Sequence, residues 1–138
     1  MKKNRLPLLA ISLLLAGCRT ALVFTGGVST SSEQQALSVI NELDTGLKKE
    51  GFTPDALPPG STVIPKGVIR ISSWWSPQRD VLVEAITKKE EVSLRIVPQP
   101  GANESSKAVA AQVQSLLQQR FPTLKVRIME KPEADFLR

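Results

Sequence analysis

The placement of proline constrains this chain more than any other feature. Proline has no N–H to donate and clashes with the preceding turn, so helix interiors and central strands must fit between prolines. Pro54, Pro58, Pro59 and Pro65 crowd one stretch, and Pro77, Pro98, Pro100 and Pro122 punctuate the rest. The intervals are short, and each carries its own hydrophobic period. Residues 32–50 repeat apolar side chains at spacings of three and four (Leu37, Ile40, Leu43, Leu47, widened by Ala36 and Val39), the pattern of an amphipathic helix. Thr30, Ser31 and Ser32 are followed three residues later by Glu33, Gln34 and Gln35, a capping-box signature. Lys48, Lys49 and then Gly51 suit the helix end. Residues 52–67, rich in proline and glycine, read as a surface crossover.

Three strand-like runs come next. Residues 68–75 alternate Ile69 and Ile71 with Arg70 and Ser72. Residues 80–86 are β-branched. Residues 92–96 alternate Val92, Leu94 and Ile96 with Ser93 and Arg95. The charged turn Lys88-Lys89-Glu90-Glu91 makes the last two a hairpin. Residues 103–120 form a second helix, with Asn103 as its cap and Val109, Val113, Leu116 and Leu117 as its apolar stripe. Leu124, Val126 and Ile128 then alternate with Lys125 and Arg127 in a final strand. Residues 131–138 read as a tail whose Phe136 and Leu137 can dock. Residues 18–31 hold Ala21-Leu22-Val23-Phe24 before Gly26-Gly27 and read as a short strand or a tether. The expected fold class is α+β: a two-layer sandwich with two helices on one face of a mainly antiparallel four- to five-stranded sheet. The order is loosely that of a ferredoxin-type plait, with a third consecutive strand that does not fit it.

The N-terminus points to a compartment. Lys2, Lys3 and Arg5 precede an apolar stretch from Leu6 to Ala16, which is about half the roughly 20 residues a spanning helix needs. This is the pattern of a secretory signal peptide, residues 1–17. Its end, Leu15-Ala16-Gly17-Cys18, resembles the lipobox of bacterial lipoproteins. The resemblance covers the first 18 residues. It implies a diacylglycerol on the Cys18 thiol, cleavage before Cys18 and an N-acyl chain on the new amino group. Two or three acyl chains hold a protein on a bilayer where one binds marginally. Arg19, where an inner-membrane lipoprotein of the enterobacterial class would have Asp, implies the periplasmic face of the outer membrane of a Gram-negative envelope. Inner membrane and cell surface stay open as alternatives. Cleavage removes three of the 18 basic side chains and lowers the net charge from +5 to +2. That leaves no global electrostatic reason to expect nucleic acid.

Chemistry is sparse. The chain has no His and one Cys, which removes the commonest general base, the commonest zinc ligand and an internal disulfide. No catalytic site, metal site or cofactor beyond the Cys18 lipid is expected. Asp80, Glu84, Glu90 and Glu91 are the carboxylates that a minor envelope hydrolase would use, as a pair in one pocket. Neighbouring strand residues face opposite ways, so Trp74 and Trp75 must part. Trp75 follows Ile69 and Ile71 into the core, and Trp74 joins Arg70, Arg95, Lys125 and Arg127 on an open, basic face fitted to an envelope protein partner. Two functions of this kind are expected, a binding or assembly module and an immunity or inhibitor lipoprotein acting against an envelope effector. The gene neighbourhood would discriminate between them.

Overall fold

A computed structural model of the chain describes residues 21–55 and 64–131. The expected signal peptide (residues 1–17), Cys18, half of the proline-rich crossover (56–63) and the tail with Phe136 and Leu137 lie outside the described residues. Along the chain these are β1 (Val23–Ser29), α1 (Glu33–Lys49), β2 (Thr53–Pro54), β3 (Val68–Trp75), β4 (Val81–Lys88), β5 (Glu91–Pro98), α2 (Asn103–Arg120) and β6 (Val126–Lys131). The strands form one sheet in the order β2-β3-β4-β5-β1-β6, and every neighbouring pair is antiparallel. The fold is α+β, with six strands where four or five were expected.

The fifth and sixth strands, β1 and β2, have physical causes. β1 runs through Gly26 and Gly27, which the sequence reading takes as a break. Here the glycines permit close approach to both neighbours: a Cβ at Gly26 would sit 1.7 Å from the Arg127 carbonyl oxygen, and one at Gly27 would sit 2.7 Å from that of Val92. Of the two readings, the strand holds over Val23–Ser29. β2 is a two-residue addition paired to the end of β3, Thr53 with Trp75 and Pro54 with Trp74. Taken without β2 and β3, the order β6-β1-β5-β4 with its two crossover helices is the split β-α-β plait. The strand that does not fit the plait is β3, attached outside β4.

Ser32 caps α1 by accepting the Gln35 N–H at 3.1 Å, and the Gln35 side chain accepts the Ser31 N–H at 2.8 Å. Ala36, Val39, Ile40, Leu43 and Leu47 are buried as the stripe predicts, and Gly51 follows the helix at φ +89°. α2 buries Val109, Ala110, Val113 and Leu117, while Leu116 packs at the edge. Its N-terminus departs from expectation. Ala102 holds the cap position and makes no side-chain cap bond. Asn103 lies one residue inside, and its Oδ1 accepts the Leu22 N–H at 3.0 Å. The buried Ser106 hydroxyl lies 2.9 Å from both the Leu22 and the Asn103 carbonyls, which share its one proton. Both peptide groups of Leu22 are thus satisfied by α2, and the approach to β1 is locked onto the domain.

The core lies between the helices and one face of the sheet. Val81, Val83, Ala85 and Thr87 of β4 and Val92, Leu94 and Ile96 of β5 point into it, while the residues between them point away. Val28 and Phe24 of β1 add to the same side. Neither helix, among the described residues, is long and apolar enough to cross a membrane.

Candidate functional site

The face turned away from the helices is the candidate site, and register defines its rows. Residues paired across an antiparallel ladder share a face. One row therefore runs Ser73, Glu84, Arg95, Thr25, Met129 across β3, β4, β5, β1 and β6. The next runs Ile71, Ile86, Ser93, Gly27, Arg127. The β3–β4 side of the face is apolar and half-buried, and the β1–β6 side is polar and exposed.

On the polar side a shallow groove of about 600 Å³ is lined by Thr25, Gly27, Glu91, Lys125, Arg127 and Met129, among others. Gly27 leaves its floor open, and the Glu91 carboxylate lies over it, 2.8 Å from where a Cβ would stand. Met129 is 65% exposed on β6, the last strand of the sheet. An exposed, flexible thioether between two cations on an edge strand is suited to contact with a partner.

Of the five residues expected on this face, Arg95, Lys125 and Arg127 are there. Trp74 and Arg70 are not, and the two tryptophans are reversed. Trp74 is 2% exposed and faces the helices, where its indole N–H donates to Asp44 Oδ1 of α1 at 2.8 Å. Trp75 is half-buried on the open side, with the Arg79 guanidinium 5.5 Å from its ring centroid. The reason is the position of β3 outside the plait. There, the side facing α1 carries Arg70, Ser72 and Trp74, and the acceptor at Asp44 suits an indole. Ile71 and Ile86 pair on the other side and shield each other, although no described helix covers them.

Burial pushes the Asp44 carboxyl up, but it is outweighed by hydrogen bonds from Lys48 and Trp74 and by the charges of Lys48 and Arg70. The group therefore sits below the ordinary aspartate range. Arg70 acts there on the helix side. Asp80 is also held low, first by the Ser76 hydroxyl donating at 2.6 Å and then by Ser105, against some burial. The same Ser76 oxygen accepts the N–H groups of Asp80 and Val81 at 3.1 and 3.0 Å, so these side chains close the β3–β4 turn.

The carboxylates considered for hydrolysis are spread along the sheet. Asp80 precedes β4, Glu84 pairs with Arg95 in mid-sheet, and Glu90 and Glu91 lie at the opposite end. Among the described residues no cluster of His, Cys, Asp and Glu could hold a metal ion. Sequence reasoning missed Met129 and Gly27, and considered Glu91 only as a turn residue and a hydrolase carboxylate. The alternation of Lys125 and Arg127 carried one step further reaches Met129, so that signal was present. The roles of Gly27 and Glu91 depend on the β1–β5 pairing, which leaves no mark in sequence. No known family model matches the chain, and no curated protein matches it either.

Proposed function

We propose that this chain is a lipid-anchored, non-catalytic envelope lipoprotein. It is held by acyl chains on Cys18 at the periplasmic face of the outer membrane, and its domain binds an envelope protein through the open sheet face. The observation that carries the reading is the run Leu15-Ala16-Gly17-Cys18 behind a basic, apolar leader, with Cys18 the chain's one cysteine and Arg19 after it. The groove sets Lys125, Arg127 and Lys131 against Glu91 and Glu130 beside the exposed Met129, a net positive lining that suits an acidic partner surface with an apolar spot.

Two measurements test the two halves. Cys18→Ser should leave an unprocessed precursor or release the protein from membranes; processing with undiminished membrane retention would sink the anchor. Replacing Lys125 and Arg127 together by Glu should leave the melting temperature nearly unchanged, since exposed substitutions shift stability by about 0.5 kcal/mol. It should abolish recovery of the cross-linked partner from detergent extract. Undiminished recovery would remove the groove from the binding site.

A further inference from the structure

We infer that the end of the sheet from which β1 starts rests on phospholipid headgroups, with the β3–β4 turn and its Trp75–Arg79 pair as the contact. This rests on the lipoprotein reading of Cys18. The first argument is the length of the tether. Leu22 is fixed to α2 through both its N–H and its carbonyl. Four residue steps separate it from Cys18, and a fully extended chain covers at most about 14 Å in four steps. An acylated Cys18 lies at the headgroups, so the start of β1 cannot stand far from them.

The second argument is what else the topology brings to that end. β1 and β4 start there, and β3, β5 and β6 finish there. Trp75 pairs with Leu82 and Leu82 with Val97. Phe24 pairs with Ile96, which brings Val97 level with Val23. The last row of the open face is thus apolar and half-buried from Trp75 through Leu82 to Val97, two strand spacings or about 10 Å wide, with Val23 beyond it buried. The row above it holds Ser73, Glu84, Arg95 and Thr25, which separate this end from the Ile71–Ile86 pair further up the face.

The turn beyond this row exposes Pro77, Gln78 and Arg79. It is braced, because Ser76 closes it and Pro77 packs over the Gly51 position at the end of α1. Lys49, Arg79 and Lys131 at this end are matched by Glu50, Asp80 and Glu130. Bulk charge is therefore not the driving term. Tryptophan belongs at the headgroup level, where its ring is half in apolar surroundings, and an arginine stacked on it reaches phosphate.

The test uses the full chain, produced in a bacterium that processes lipoproteins and purified from membranes in detergent. Its mass is measured first. It is then placed in vesicles of phosphatidylethanolamine and phosphatidylglycerol whose acyl chains are brominated near the headgroup. The bromines should quench the Trp75 share of the fluorescence and spare the buried Trp74. Trp75→Phe should abolish the quenching, and the exposed Arg79→Glu should reduce it while lowering the melt by no more than about 4 °C. A mass lacking acyl groups on Cys18 would overturn the lipoprotein reading and this inference with it. Acylated protein quenched equally with and without Trp75, or not quenched at all, would overturn the inference alone and leave the open end to a protein partner.

Discussion

Trp74 is the most discriminating residue to perturb, because sequence pattern and structure assign it opposite faces. It is 2% exposed, and its indole donates at 2.8 Å to Asp44. Truncating a buried aromatic to Ala costs about 3–5 kcal/mol. Trp74→Phe keeps one ring and separates the two contributions. A hydrogen bond to a charged group is worth about 1.5–3 kcal/mol. The low end applies here, because Asp44 is 32% exposed at its side chain and keeps Lys48 at 2.8 Å. Loss of the second ring adds about 1 kcal/mol, so the total is about 2–3 kcal/mol. At about 4 °C per kcal/mol for a domain of this size, Trp74→Phe should melt about 10 °C lower. Trp75→Ala removes a half-buried ring and a cation–π contact of about 0.5–1 kcal/mol and should lower the melt by only about 4–6 °C. The assay is thermal and urea unfolding of a chain beginning at Arg19, with Asp44→Ala in a double-mutant cycle. The cycle should return about 1.5 kcal/mol of coupling between Trp74 and Asp44. If Trp75→Ala cost as much as Trp74→Ala, or the coupling were zero, the assignment of faces would be refuted.

Val113→Asp places a carboxylate in a fully buried position of α2 and should cost several kcal/mol; an unchanged urea midpoint would show that the stripe is not core. Thr87 is fully buried, and its hydroxyl has no hydrogen-bond partner among the described residues. Thr87→Val should therefore be neutral or stabilising by about 1 kcal/mol, and a loss of more than that in urea unfolding would mean the hydroxyl has a partner. Asp44 and Asp80 are held below their ordinary value, so the folded state binds their protons less readily than the unfolded chain does. Their contribution is complete above that value and is lost as pH falls below about 4. The melting temperature should drop across that window, and less steeply in Asp80→Asn; equal slopes would contradict the assignment.

Helix positions were legible because their signals are local. A capping box, a stripe at spacings of three and four, and a glycine at the end all lie within one α1 segment, and the structure returns it within a residue or two. The strands were legible in position but not in facing. Alternation says which residues share a side and leaves open which side is covered. For β4 and β5 this does not matter, since one side is plainly apolar and is buried. For β3 it decides the site. The Ile69 and Ile71 side is the more apolar by composition, yet the side carrying Trp74 faces α1, because Asp44, 30 residues away in sequence, supplies the acceptor.

The same non-local logic governs the rest of the open face. Gly26-Gly27 reads as a break because glycine weakens strands on average. Between β5 and β6 it is a requirement, since the neighbouring carbonyls stand where a Cβ would be. That close approach makes β1 a central strand. With β1 central, its first residues, just beyond Cys18, reach the same end of the sheet as the β3–β4 turn, and its later residues form the floor beneath Lys125 and Arg127. The proposed anchor lies before this strand and the proposed binding groove along its length, so one substitution can separate them. Gly27→Val should lower stability through the clash with Val92 and fill the groove, while leaving acylation at Cys18 untouched. Membrane retention with lost partner capture is the combination expected. Intact capture in a normally folded Gly27→Val protein would separate β1 from the binding site.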